Sequence, residues 1–139
     1  MATGFTDIRA KIKTLLEGIS EIAFVSDFHK AKLEGYPAVT FDVSESSNDF
    51  LTNNDNMRMF TFLIVIFNET EIQGLDAATA LLDTVADKVV EAFENDFTLT
   101  GTVSWCNPVT GPRVPLDTPQ GLVVAQQLSL KCNVAVSVP

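Results

Sequence analysis

The side chains that most often carry catalysis are few in this sequence. His29 is the only histidine, and Cys106 and Cys132 are the only cysteines. A single histidine excludes a metal site that needs several of them, and the spacing of the two thiols matches no zinc or redox motif. Neither cysteine begins a predicted helix, where a thiolate would be favoured. We therefore expect His29 at the surface and both cysteines in the core, reduced as thiols are in the cytoplasm.

Carboxylates are abundant, yet nothing marks one pair of them as catalytic. Working pairs of Asp and Glu sit in a cleft with polar support, and the sequence indicates no such setting. Asp49, Asn53, Asn54 and Asp55 offer the oxygen ligands of a magnesium or calcium site, but their spacing differs from that of an EF-hand loop. Glycine-rich phosphate loops and basic patches with interleaved aromatic residues are also missing. The residues thus predict a protein that is not an enzyme and holds no cofactor or metal.

The composition favours one folded domain. Of the 139 residues, 46% are hydrophobic and 19% are charged, which argues against disorder and fits a chain that buries its own core. No apolar run approaches the roughly 20 residues needed to span a bilayer. The N-terminal segment lacks the apolar stretch of a signal peptide. We expect a soluble protein made in the cytoplasm, with no membrane partner.

The net charge of −9 is concentrated in one part of the chain. Between Asp42 and Asp96, twelve acidic residues stand against only two basic ones, Arg58 and Lys88. A surface of this kind repels nucleic acid. Four acidic residues share one side of a predicted helix: Asp83, Asp87, Glu91 and Glu94. The plainer interpretation of this acidic ridge is a solvated helix face that keeps the protein soluble.

Hydrophobic periodicity predicts a single α+β domain over residues 1–139, with the element order αβββαββ. Each helix carries one apolar stripe, and the helices are expected at Thr6–Glu17 and Gly74–Glu94. Strands are expected at 22–28, 38–43, 57–67, 98–106 and 122–138. A mainly antiparallel sheet of four to five strands should then hold both helices on one face. Residues 44–56 and the proline-rich residues 107–121 are expected to be long loops.

The strand predicted at Met57–Phe67 is apolar on both faces. Alternate residues of a strand point to opposite sides of the sheet, so both sides of this strand need cover. Two helices on one face leave the other side open, and a neighbouring copy of the chain is the simplest cover. The residues that we expect to pack against that copy are Phe60, Phe62, Ile64 and Ile66.

The two predicted loops are the candidates for contacts with other proteins, because persistent long loops often carry function. Phe50 and Leu51 are the only large apolar residues of the first loop, and they are expected either to fold back onto the core or to dock on a partner. The candidate contact residues are Asp49, Phe50, Leu51, Asn53, Asn54, Pro108 and Arg113.

A short motif and the order of the elements are together similar to one protein family. Gly35-Tyr36-Pro37-Ala38-Val39 follows the N-terminal helix and leads into a strand, and Ser44-Glu45 begins an acidic, Asn-rich segment. Arg58 precedes the aromatic-rich strand, and one long helix and two closing strands come after it. Over nearly its whole length, the chain resembles the tail terminator proteins of long-tailed bacteriophages.

The resemblance implies a structural subunit of a homohexameric ring that stops polymerisation of the tail tube and joins the tail to the head. The implied partners are further copies of the chain, the tail tube protein and a neck or head-completion protein. The implied location is the tail–head junction of the virion, where DNA passes in transit through an acidic lumen without being read for sequence. Another neck or head-completion subunit is the nearest alternative, and a small-ligand-binding domain or an acidic DNA mimic are alternatives of other classes.

Overall fold

The computed structural model describes residues 5–26, 35–50, 55–70, 74–118 and 121–137. The two helices are α1 (Phe5–Glu17) and α2 (Leu75–Asn95). The strands are β1 (Phe24–Ser26), β2 (Ala38–Phe50), β3 (Asp55–Glu69), β4 (Trp105–Thr118) and β5 (Gly121–Ser137). This α+β architecture and its order αβββαββ confirm the fold class predicted from the sequence.

The five strands form one sheet in the order β1-β2-β3-β5-β4. The pairs β2–β3, β3–β5 and β4–β5 are antiparallel, as predicted. The short strand β1 runs parallel to β2, so the sheet is mixed rather than wholly antiparallel. Strand β3 lies at the centre and is paired along its whole length with β5.

Both helices pack on one face of this sheet because each presents one apolar stripe. Ile8, Ile12 and Leu16 recur at helical spacing on α1 and are fully buried. The buried residues of α2 are Ala78, Leu82, Val85, Val89 and Phe93. Asp76 lies in the first turn of α2, where its negative charge interacts favourably with the positive end of the helix dipole and stabilises the helix.

The helices cover the face of β3 that we expected to meet a neighbouring subunit. Phe60, Phe62, Ile64 and Ile66 are 5%, 0%, 1% and 0% exposed within a single chain, and they share one core with both helices. They have no surface left for another copy, so the expected assignment of the two faces is wrong. The sequence shows that both faces are apolar, but it does not show which one the helices take.

The two predicted loops are largely strands, which corrects a second expectation. Strand β2 continues through residues 44–50, with Asp49 paired to Met57 and Phe50 to Asn56. Residues 98–104, predicted as a strand, form turns instead, and β4 begins at Trp105. The prolines of β4 are tolerated because it is an edge strand of the sheet, paired on one side with β5.

Strands β2, β3 and β5 run on together past the start of β4. Trp105 is paired with Asn133, and beyond that point residues 134–137 of β5 pair only with residues 55–58 of β3, which pair in turn with residues 48–50 of β2. We call this three-stranded part, residues 48–50, 55–58 and 134–137, the sheet extension. The sheet extension therefore lies beyond the part of the sheet in which β4 is paired with β5.

The turn between α2 and β4 depends on left-handed backbone conformations at three successive residues. Leu99, Thr100 and Gly101 have φ angles of 49°, 59° and 82°. Replacing Gly101 with alanine is expected to lower the free energy of unfolding by about 1 kcal/mol, because a side chain at positive φ is strained. The matched control is Gly18→Ala, where φ is not positive and the added Cβ makes only ordinary contact with the Leu15 oxygen at 3.4 Å. Denaturant unfolding should separate the two variants, and equal stabilities would contradict the expectation.

Candidate interaction surfaces

The face of the sheet opposite the helices carries a shallow apolar groove. The groove has a volume of about 250 Å³ and is lined by Thr40, Leu63, Val65, Phe67, Val114, Leu116, Ala125 and Gln127. The strand register explains this set, since Phe67 is paired with Ala125 and Ala125 with Val114. No helix in the described parts of the chain lies over this side, which we call the helix-free face.

The helix-free face exposes apolar surface without a set of polar groups to orient a small ligand. Leu116 is 39% exposed and Met59 38%, while Leu63 and Phe67 are half-buried. Of the groove residues, only Thr40 and Gln127 carry polar side chains. Small-molecule sites usually combine an apolar lining with several convergent polar groups. The face is therefore better suited to packing against an apolar protein surface.

A second exposed apolar feature lies where α2 gives way to β4. Phe97 is 54% exposed and Trp105 is 44% exposed. The backbone holds them near each other, because the Cys106 N–H donates to the Phe97 carbonyl at 2.7 Å. We call these two residues the aromatic pair. Phe and Trp are enriched at the centres of protein interfaces, so their exposure points to a contact with another protein.

The acidic ridge predicted on α2 is exposed at all four of its residues, Asp83, Asp87, Glu91 and Glu94. Asp83 is partly neutralised by Arg113, whose Nη2 lies 2.6 Å from its carboxylate. Lys88, on the same helix, forms an ion pair with Glu21. The hydrogen bond from Lys88 lowers the pKa of the Glu21 carboxyl. The ridge is thus a solvent-exposed stripe of negative charge with an ion pair to a basic residue at Asp83.

Arg113 and Pro108 belong to β4 rather than to a loop, and Arg113 is engaged inside the chain. Its Nε donates to the Gln126 side-chain oxygen at 2.8 Å, in addition to the ion pair with Asp83. The Gln126 amide nitrogen donates in turn to the Gly111 carbonyl at 2.8 Å. These contacts join α2, β4 and β5 around the register shift between Thr110 and Arg113. Arg113 is therefore held by contacts within the chain, and its role as a partner contact stays a prediction.

The network explains why one glutamine interrupts the apolar face of β5. Gln126 is 4% exposed, and all of its side-chain hydrogen bonds go to the irregular part of β4 and to the neighbouring backbone. Gly111 allows the close approach, since a Cβ there would lie 3.2 Å from the Gln127 oxygen. The sequence signal for this network is the single glutamine on the otherwise apolar face of β5, because a buried polar side chain needs hydrogen-bond partners.

Several predicted residues lie at the edge of what the structure describes. Asp49 and Phe50 are the last paired residues of β2, in the sheet extension, whereas His29, Leu51, Asn53 and Asn54 lie outside the described residues. Sequence reasoning missed Leu116 and Trp105 as exposed apolar residues, because they fell in a predicted loop and a misplaced predicted strand. Phe97 was missed because it fell between the predicted helix and that strand. The two predicted cysteine positions are buried.

The described residues hold neither a cluster of metal ligands nor a membrane-spanning helix. No group of three or more His, Cys, Asp or Glu side chains in them is arranged to hold a metal ion. None of the described helices is long and apolar enough to cross a membrane.

Comparison with known proteins finds a likeness in fold but none in sequence family. No protein-family model and no curated protein matches the sequence. A solved chain from the virion of a native gene transfer agent particle is similar in fold, with a TM-score of 0.46 and 11% sequence identity over 94% of each chain.

Proposed function

We propose that this chain is a structural subunit of a phage-like virion, and specifically a tail terminator that forms a homohexameric ring where the tail meets the head. The observation that carries the proposal is the helix-free face, where Leu63, Phe67 and Leu116 stay partly exposed on a protein that otherwise covers its core with two helices. The order of the elements supports it, since the sequence resemblance to tail terminators depends on that order. A role as an enzyme is not part of the proposal.

A second copy of the chain is the occupant that we propose for the helix-free face. A closed ring needs a contact between two different surfaces, repeated from each subunit to the next. This chain offers two such surfaces that share no residue, the helix-free groove and the aromatic pair. We propose that the aromatic pair, Phe97 and Trp105, of one subunit packs into the groove of its neighbour.

The charge supports the passage of DNA through such a ring. The acidic ridge lies on the helix side of the sheet, so packing through the helix-free face leaves it exposed. A ridge that lines the lumen would repel the phosphate backbone, and DNA would slide past it without binding. Asp87, Glu91 and Glu94 are the described residues that we propose for this wall.

The end of the β2–β3 hairpin is the part that we propose for contact with the tube or the neck. The sheet extension pairs β2, β3 and β5 beyond the start of β4. The residues concerned are Asp49, Phe50, Leu51, Asn53 and Asn54. Pro108 lies in β4 and is not included.

Sedimentation or light scattering of the purified protein, alone and with tail tube protein, tests the ring. We expect a species of about hexamer mass in at least one of the two conditions. Leu63→Asp, or Phe97→Ser combined with Trp105→Ser, should shift this species to the monomer, because a charge would be buried in the contact or the aromatic anchors would be lost. The change should be at least tenfold in the dissociation constant, the effect of about 1.4 kcal/mol.

Leu75→Asp is the matched control. Leu75 is 58% exposed at the start of α2, outside both proposed surfaces, and an acidic residue there suits the helix dipole. This variant should assemble as the unchanged protein does. A monomeric unchanged protein in both conditions, or equal assembly of all the variants, would contradict the proposed ring. Assembly without any effect on tube length would instead favour another ring subunit of the neck.

A further inference from the structure

The two cysteines of the chain stand directly opposite each other on neighbouring strands. Cys106 of β4 is paired with Cys132 of β5 in the antiparallel register, so both side chains point to the same face of the sheet. They are 6% and 0% exposed and belong to the core beneath the helices. The Cys106 thiol makes a weak hydrogen bond of 3.9 Å to the Phe93 carbonyl in the last turn of α2. Both thiols are free.

The direction of the Cys106 backbone N–H shows which kind of antiparallel pair Cys106 and Cys132 form, and so how far apart their Cα atoms are. The Cys106 N–H donates at 2.7 Å to the Phe97 carbonyl and so points away from β5. Cys106 and Cys132 are therefore a pair that exchanges no backbone hydrogen bonds, the closer of the two kinds in an antiparallel ladder. Such pairs have Cα atoms about 4.5 Å apart. Disulfides span Cα separations of about 4.4–6.8 Å.

We propose that Cys106 and Cys132 are a modification site, a dithiol that an oxidant closes into an internal disulfide without rearrangement of the sheet. A small-molecule disulfide such as oxidised glutathione serves as the oxidant. The thiolate of one cysteine attacks it and releases one glutathione thiol, and the second cysteine then displaces the other. The protein loses two protons and two electrons, and the oxidised glutathione takes them up to become two thiols.

The surroundings keep the pair reduced until the strand edge opens. Burial, with the charge of Asp96, raises the pKa of the Cys106 thiol to about 11. Burial, with the neighbouring Cys106, raises that of Cys132 to about 12. Only the thiolate attacks a disulfide, so reaction at neutral pH is slow in the closed structure. Cys106 lies near the start of edge strand β4, where local opening exposes its thiol to the oxidant.

Closure would fasten the edge strand to the interior of the sheet. The disulfide would connect β4 to β5, which is itself paired with the central strand β3. A crosslink between these positions restricts the unfolded chain and holds β4 in place. The oxidised protein should therefore unfold at a higher temperature, and the amide protons of β4 should exchange more slowly. This inference does not depend on the proposed function.

The test is oxidation of the folded protein with oxidised glutathione at mildly alkaline pH, without denaturant. We expect a product that is not crosslinked to a second chain, is lighter by two hydrogen atoms, has lost both free thiols and melts several degrees higher than the reduced form. Addition of a reductant should reverse all three changes. Cys106→Ser and Cys132→Ser should each give no internal crosslink.

A geometric control moves one thiol along the same strand. In Cys132→Ser combined with Val134→Cys, the second thiol stays on the helix side of β5 but no longer stands opposite Cys106. This variant should close at least tenfold more slowly than the unchanged protein. Equal closure rates, closure only in denaturant, a lower melting temperature after closure, or retention of both thiols while an added exposed cysteine (Leu116→Cys) reacts would each overturn the proposal.

Discussion

Replacing Phe62 with alanine is expected to lower the free energy of unfolding by about 3–5 kcal/mol, the range found when a buried Phe is truncated. Phe62 is fully buried on the central strand. Its ring meets that of Phe41 edge to face, with centroids 6.4 Å apart, and the Arg9 guanidinium lies 5.9 Å from the ring centre. The substitution removes all of these contacts and leaves a cavity that the paired strands cannot close.

Phe97→Ala is the matched control for this prediction. Phe97 is 54% exposed, so its truncation should cost less than about 1 kcal/mol of stability. Denaturant unfolding of both variants at low protein concentration measures the two effects. Similar losses in the two variants would mean that Phe62 does not lie in the core of the single chain. Phe62→Ala tests the fold, whereas Phe97 enters the assembly test, so the two roles are separated.

Replacing Gln126 with methionine is expected to lower the free energy of unfolding by about 2–3 kcal/mol, although methionine has a similar shape. The change removes the acceptor of the Arg113 Nε hydrogen bond and the donor to the Gly111 carbonyl. A partly buried polar group that loses its hydrogen-bond partner is still removed from water, and this uncompensated desolvation costs about 1–3 kcal/mol for each group. The irregular part of β4 should loosen first, because these bonds hold it against β5.

A double-mutant cycle with Arg113→Met makes this prediction specific. If Gln126 acts through Arg113, the two losses should not add, and the coupling should be about 1 kcal/mol. Gln127→Met is the positional control, since Gln127 is half-buried on the helix-free face and its side chain lines the groove instead. Additive losses in the cycle, or an equal loss in Gln127→Met, would show that the network contributes no more than its parts.

The candidate surfaces were only partly accessible to sequence reasoning. The alternation in β3 shows that Leu63 and Phe67 share a face, but it does not decide which face the helices cover, and the face that we assigned to a neighbouring subunit is the one they take. Trp105 was hidden because residues 98–106 were predicted as a strand. Phe97 instead comes just before a turn with positive φ angles at Leu99, Thr100 and Gly101, which the sequence analysis did not predict. The acidic ridge was predictable in full, because helical spacing alone places its residues on one side.

The sequence by itself determined the class of the fold, the two helices with their buried stripes, the central and last strands, and the absence of a marked catalytic set. Those features are local, since a period of three to four or of two residues is written in neighbouring positions. Only the tertiary structure decided which side of the sheet the helices cover, where β2 and β4 end, and that Cys106 faces Cys132. These features depend on pairing between segments that are distant in the sequence. The polar residues 44–50 and the proline-rich β4 resemble loops when each is considered by itself, but they form strands because a partner strand satisfies their backbone groups.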